Sequence, residues 1–223
     1  MPDEIIQQYI SLVRFLGQAI GDQFEFVLHA FDTDGDMYIA EIINGQLSGR
    51  SKDSPITQFA LDLINNKTYL DQDYLVDYKT KTQQGKLLQG STFFIKNNQQ
   101  DLLGMLCINM DYSKQFEMAD DIIRMLNLPI NIRTAEMVDS RPEAEDDFAE
   151  VLSESLHDII LQVVGADQLN ENVQLTQEAR VDIVARLEER GVFQIKGSVS
   201  QVAQILGVSE PSIYRYRRMI PKN

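Results

Sequence analysis

Apolar residues recur every three to four positions between Glu4 and Gly21, placing Ile6, Ile10, Val13 and Leu16 on one broad stripe and predicting an amphipathic lead helix. The period then changes. Phe24 to Phe31 and Met37 to Ile43 are rich in aromatic and branched residues, with Asp32-Thr-Asp-Gly-Asp36 between them, which predicts two strands joined by a turn. Asn44-Gly45 is a second turn, and the loop from Gly49 to Pro55 hands over to a helix at about 56–64. Tyr69 to Tyr78 reads as a polar, aromatic connector. Ser91 to Lys96 and Leu102 to Met110 read as strands around the turn at Asn97 to Asp101, and a helix follows over 116–126. Helices and antiparallel strands in this order, without βαβ alternation, give an α+β fold: a PAS-like or GAF-like antiparallel sheet with flanking helices. Phe148, Val151, Leu152, Ile159, Ile160 and Val164 then continue at helical period. That stripe predicts a helix over 148–164, which must be buried in its own domain or against a twin in a dimer.

The last stretch, Val199 to Arg218, predicts a helix-turn-helix. Val202, Ala203 and Leu206 form an apolar face, Gly207 ends the helix, Ser209 is a good N-cap and Pro211 suits the first turn of the next helix. With Thr176 capping a preceding helix over 177–190, three helices make an all-α reading unit. Ile213 and Tyr216 point inward, and Ser212, Tyr214, Arg215, Arg217 and Arg218 point outward. Two domains and a linker result: 1–135, a PAS-like sensor; 136–147, an acidic linker with Pro142; and 148–223, a helical connector with the helix-turn-helix.

Charge changes the picture most. The chain has 223 residues and a net charge of −14, which by itself argues against binding a polyanion. From Gly191 onward, however, Lys196, Arg215, Arg217, Arg218 and Lys222 stand against Glu210 alone, a local net charge of +4. An acidic body with one basic end would offer double-stranded DNA a single face. Tyr214, Ser212 and Arg215 would face bases in the major groove, and Arg217, Arg218, Ser200 and Lys196 would face phosphates. The bland alternative for the tail is a helical hairpin with a solvated basic face. The competing function is a sensor or adaptor acting through protein–protein contacts without specific DNA binding.

Cys107 is the only cysteine, so no intramolecular disulfide is possible and a reducing, cytoplasmic location is expected. No apolar run approaches the ~20 residues that span a bilayer, so no membrane partner is expected. There is no Gly-rich phosphate loop, no G-x-S-x-G and no metal-ligand cluster, so neither enzymatic activity, nor a catalytic residue, nor a metal, nor a cofactor is expected. Asp32 to Asp36 lacks the later spacing of a calcium loop and reads as an acidic turn.

Taken in order, Phe26-Val-Leu-His29, Ile43-Asn-Gly45, Ser48-Gly-Arg50, Ser54-Pro55, Ser91-Thr92, Phe94-Ile95 and Leu103-Gly-Met-Leu-Cys-Ile-Asn-Met-Asp111, then Lys196-Gly197, Val202-Ala203, Val208-Ser209 and Tyr214-Arg215-Tyr216 in the tail, resemble the YheO-like regulators, which include D-arginine-utilisation repressors. The resemblance covers nearly the whole chain. It implies an N-terminal YheO-like PAS domain, a C-terminal helix-turn-helix and transcriptional regulation. The turn at Asn97 to Asp101 departs from the pattern, being all polar where a glycine would be natural.

A sensor needs a few polar groups among apolar strands. His29, Asn44, Ser48, Arg50, Thr92, Cys107 and Asn109 are the candidates for a small-molecule effector. Arg50, between Gly49 and Ser51, suits a ligand carboxylate; its alternative is a salt bridge to the acidic body. For His29 the alternative is a buried structural histidine, and His29 with Cys107 makes too sparse a set for haem or metal. A homodimer is expected, because paired readers match paired half-sites.

Overall fold

The computed structural model describes residues 2–82, 84–128, 150–152, 155–164 and 175–220. Its elements are α1 (Pro2–Ile20), β1 (Phe24–Phe31), β2 (Met37–Ile43), α2 (Gln58–Asn65), α3 (Thr68–Asp71), β3 (Tyr74–Thr82), β4 (Leu87–Lys96), β5 (Leu102–Met110), α4 (Ser113–Met125), β6 (Glu150–Leu152), α5 (Leu156–Val164), α6 (Gln177–Glu189), α7 (Ser198–Ile205) and α8 (Glu210–Met219). The strands form one sheet in the order β2-β1-β5-β4-β3-β6. The first five pair antiparallel, and β6 joins β3 in parallel.

Alternation along β1 divides the molecule. Phe26, Leu28 and Ala30 point to the outer face, where Ile6 and Val13 of α1 cover them. Val27 points to the inner face and joins Ile39, Met105 and Phe94 there. That inner face is not closed by the N-terminal region alone. Ile159, Ile160 and Val164 of α5, Val184 and Leu187 of α6, and Phe193 and Ile195 belong to the same continuous apolar cluster. The reading unit therefore packs directly on the sheet, and both share one core.

Two expectations for the connecting segment are corrected here. The helix predicted over 148–164 begins only at Leu156, because Ser155 and Asp158 cap it reciprocally: the Asp158 amide donates to Ser155 Oγ at 3.1 Å and the Ser155 amide to Asp158 Oδ2 at 3.1 Å. Glu150–Leu152 instead forms β6, pairing Thr80 with Glu150 and Thr82 with Leu152 on the free edge of β3. Of what reads as a connector at Tyr69 to Tyr78, the first part is the short helix α3 and the second half is the start of β3, a strand whose pattern is obscured by irregular burial and by Asp77, which breaks the register at φ +61°. The stripe on α5 is buried within the chain's own core. The acidic linker expected at 136–147, and Lys222, lie outside the described residues.

At the opposite edge, β2 receives the reading unit directly. Met37 and Ile195 form a parallel bridge, and the Lys196 amide donates to the Met37 carbonyl at 3.4 Å. Both edges of the sheet are thus met by chain that follows the N-terminal region.

Candidate functional site

Two constellations stand out, one at each end of the shared core. The first is the helix-turn-helix. Val202, Ala203 and Leu206 are buried, as are Ile213 and Tyr216 one turn apart on α8. Gly207 takes φ +61° and closes α7, with its amide donating to the Gln204 carbonyl at 3.2 Å and the Val208 amide to the Ala203 carbonyl at 2.9 Å. Ser209 starts α8 in extended conformation, but its hydroxyl lies 3.0 Å from that of Ser212 and does not cap the helix. Pro211 sits in the first turn. This leaves Tyr214, Arg215 and Arg218 exposed on α8 and Ser200 exposed on α7, with Ser212 half-buried. Arg215 also lies over the Tyr216 ring, 5.3 Å from its centre.

The other two basic candidates are engaged inside the molecule. Arg217 donates from Nε and Nη2 to both carboxylate oxygens of Glu188 on α6, at 2.6 and 2.8 Å, and stacks on Phe193 with 4.7 Å to the ring centre. A bidentate pair over an aromatic ring fixes a guanidinium, so Arg217 ties α8 to α6 and does not extend freely toward a phosphate. Lys196 reaches Asp32 of the turn between β1 and β2 at 3.3 Å and lies over Tyr38 at 5.6 Å. Asp32 in turn accepts the amides of Asp34 and Asp36 on Oδ1, both at 3.0 Å. The acidic turn closes on its own backbone and on Lys196. Desolvation raises the Asp36 carboxyl, helped by Asp32 and Asp34 and opposed by Lys196 and Arg217, which places both cations within electrostatic reach of that turn.

The second constellation is a buried polar cluster on the inner face of the sheet. Glu25 is wholly buried; it accepts the Ser48 hydroxyl on Oε1 and the Asn109 side-chain amide on Oε2 at 2.7 Å. Asn109 lies opposite Glu25 across β1 and β5. Arg50, 6% exposed, donates from Nη2 to the Pro55 carbonyl at 3.3 Å. Burial pushes the Glu25 carboxyl above the ordinary range, and the Arg50 charge and the Ser48 and Asn109 hydrogen bonds pull it back. Two rungs along β1, His29 is held well below its ordinary value by burial first and by Arg50 second. Arg50 is thus sensed by both groups. Next to them, Thr92 Oγ1 lies 2.8 Å from the Tyr78 hydroxyl and 3.4 Å from Cys107 Sγ. The Tyr78 ring lies against the backbone of Gly90, where a Cβ would meet Tyr78 Cε2 at 2.2 Å. Only glycine admits the ring there.

The cluster is incompletely satisfied. His29 Nδ1, Arg50 Nε and Asn109 Oδ1 are buried without a hydrogen-bond partner. A native core pairs nearly all such atoms, and each unpaired one costs about 1–3 kcal/mol. The residues that sequence reasoning singled out on this face, His29, Ser48, Arg50, Thr92, Cys107 and Asn109, do converge. Asn44 does not: it sits at φ +59° and donates from Nδ2 to the carbonyls of Gly21 and Phe24, at 3.1 and 2.7 Å, as a brace between loops. Glu25, the hub, was missed. Its signal was a carboxylate in an otherwise apolar strand two residues before Val27, on the His29 face. Among the described residues no group of three or more His, Cys, Asp or Glu could hold a metal ion, and no helix is long and apolar enough to cross a membrane.

Comparison with known proteins bears on both constellations. Residues 1–127 match the model of the YheO-like PAS domain, and residues 156–218 match a helix-turn-helix (HTH) domain model. The uncharacterized protein YheO of Escherichia coli K12 is 31% identical over 96% of this chain and 84% of its own length. An uncharacterized protein of Haemophilus influenzae is 27% identical, covering 97% and 91% respectively. The transcriptional regulator DauR of Pseudomonas aeruginosa is 23% identical, covering 96% and 93%. The chain belongs to the YheO-like family, a PAS domain followed by a helix-turn-helix domain, which is the architecture of a DNA-binding transcriptional regulator.

Proposed function

We propose that this protein regulates transcription as a dimer, reading duplex DNA with α8 and responding to a small polar molecule held at the Glu25–Arg50 cluster. The observation that carries the DNA reading is the exposed face of α8. Tyr214, Arg215 and Arg218 stand out from a helix whose opposite side is anchored by Ile213 and Tyr216, on a chain of net charge −14. Ser212, Tyr214 and Arg215 take the base-facing role, and Arg218 and Ser200 the phosphate-facing one. Arg217 and Lys196 orient the tip through Glu188 and Asp32.

The ligand reading rests on the unpaired atoms. A cationic N–H of Arg50, a carbonyl oxygen of Asn109 and a ring nitrogen of His29, all buried, would be satisfied together by a molecule carrying both an acidic oxygen and a hydrogen-bond donor. Thr92, Cys107 and Tyr78 would form the less polar wall. Coupling follows from the shared core: the cluster lies on the sheet face that α5, α6 and Phe193 cover, so a ligand that shifts Val27, Ile39 or Met105 shifts the seat of the reading unit.

Fluorescence anisotropy on a labelled duplex from the protein's own upstream region, measured across salt concentrations, tests the DNA reading. A steep fall of affinity with salt is expected. Absence of any binding at low salt, alongside a stable complex with another protein, would transfer the function to the adaptor reading.

A further inference from the structure

Beyond the two constellations, the outer face of the sensor is unfinished in a particular way. Helix α1 packs on β1, β2 and the near side of β5, covering half of the sheet. The other half stays open: Phe93 of β4 is 40% exposed, and Tyr74, its neighbour across β3, is 58% exposed. Helix α1 also carries a second apolar ridge turned away from its own sheet. Leu12 is 41% exposed and Phe15 63% exposed, and Ala19 continues the ridge one turn on. The ridge and the open half-sheet lie side by side, joined by Tyr9, whose ring stacks on Phe93 at 6.4 Å. An apolar ridge next to an open apolar strip on one face is self-complementary under a two-fold rotation, since each copy's ridge then lies on the other's strip.

Charge selects a second copy as the occupant. A chain of net charge −14 repels itself almost everywhere. From Gln7 to Ile20 the exposed positions of α1 are Gln7, Gln8, Ser11, Leu12, Arg14, Phe15, Gln18, Ala19 and Ile20, with Arg14 the single charge. That charge is engaged within the chain: Arg14 bonds Glu41 Oε2 at 2.6 and 2.8 Å through Nη2 and Nε, while Lys52 closes on Oε1 at 2.9 Å. A long apolar ridge on an acidic molecule fits a copy of itself. By contrast, the exposed Met118 and Ile122 of α4 are interleaved with Glu117, Asp120 and Asp121.

We infer that the Leu12–Phe15 ridge of α1 seats in the Phe93–Tyr74 half-sheet of a second copy, forming the dimer contact. This rests on the dimeric part of the proposed function and is independent of its DNA and ligand parts. The test uses the full chain. Analytical ultracentrifugation should show a dimer for the native protein, and Phe15→Glu should raise its dissociation constant at least ~100-fold by setting a charge against the apolar half-sheet. Tyr74→Glu, on the other half of the same contact, should do likewise. Combining Phe15→Glu with Tyr74→Lys should restore the dimer, an outcome no folding defect can mimic, whereas Met118→Glu should leave it unchanged. Single variants that stay dimeric, a double variant that stays monomeric, or loss of the dimer in Met118→Glu would each overturn the assignment. A native protein that sediments as a monomer and still binds its duplex overturns this surface and leaves the DNA reading standing.

Discussion

Arg50 and Arg218 carry the same side chain in opposite surroundings, and the contrast separates what the two ends of the molecule do. Arg50 is buried on the inner face of the sheet, felt electrostatically by Glu25 and His29, and retains an unpaired Nε. Arg218 is exposed on α8. The first sits where field lines are little screened, so its interactions are few and strong. The second lies in water, where only a dense array of opposite charge, such as a phosphate backbone, holds it. Arg217, bonded to Glu188 and stacked on Phe193, is intermediate: a surface charge turned to internal use.

The largest test of that contrast is Arg50→Met. Removing the cation leaves Glu25 buried beside two neutral donors and the Pro55 carbonyl without its Arg50 donor, a loss of up to about 3 kcal/mol, read as a drop in unfolding free energy by urea denaturation at neutral pH. The sign with pH is fixed by Glu25. Its folded-state carboxyl is already raised by burial, and losing Arg50 raises it further, so acidification neutralises Glu25 and the deficit shrinks as pH falls. A deficit that grows on acidification would mean that Arg50 does not balance Glu25.

On the exposed side the effects move to affinity. Arg215→Ala should cost about 1–3 kcal/mol at one base position and relax preference there, while Arg218→Ala should weaken binding evenly and lower the salt slope by about one. Arg217→Ala should instead reduce thermal stability and leave the salt slope unchanged, because its partner is Glu188. If Arg217→Ala lowers the slope as Arg218→Ala does, the internal assignment of Arg217 is wrong.

A third measurement sharpens the buried side. His29 has its folded-state value depressed, against about 6.5 when unfolded. Below that value the unfolded chain takes up a proton that the folded chain refuses. The His29 contribution is therefore complete above the unfolded value and is lost as pH falls, at about 1.4 kcal/mol per pH unit until the folded value is reached. Glu25, raised rather than lowered, works in the opposite direction over acid pH, so the comparison must be between the native protein and His29→Gln, both of which retain Glu25. A difference between the two that does not change with pH would place His29 in contact with water.

How much of this was legible beforehand follows the same division. The strands Phe24–Phe31, Met37–Ile43 and Leu102–Met110 and the three reading helices lie where the sequence pattern placed them, because each strand is a run rich in apolar and branched residues, each helix carries an apolar stripe, and nothing competes locally. Strand β3 was not visible: its residues alternate weakly, Asp77 interrupts it, and its pairing with β4 and β6 is set by neighbours remote in sequence. The start of α5 was written as Ser155 to Asp158 and was outweighed by the apolar run before it. In the candidate site, loop and strand polar residues were found as types, but Glu25 emerged only when β1 and β5 placed it opposite Asn109. The engagement of Arg217 likewise needed α6 in place.

The smallest prediction carries the contrast between the two regions down to single backbone corners. In the reading unit, the corner after α7 uses Gly207 at φ +61°, with open space around it. In the PAS domain, the corner between β4 and β5 places Gln100 at φ +68° without a glycine. Asn97 makes that possible. Its Oδ1 accepts the amides of Gln99 and Asp101 at 2.8 and 2.9 Å, and its Nδ2 donates to Asp101 Oδ2 at 2.9 Å. The side chain thus fixes a conformation that the backbone of Gln100 disfavours by about 1–2 kcal/mol. Gln100→Gly should relieve that strain, less the extra chain entropy a glycine loses on folding, for a net gain of about 0.5–1 kcal/mol. Gly207→Ala should lose about 1 kcal/mol through the same left-handed penalty, with no steric term. Paired urea titrations of the two variants read this directly. If Gln100→Gly is neutral or destabilising, the Asn97 hydrogen bonds have selected a backbone basin that is already comfortable for glutamine, and the glycine absent from that turn was never needed.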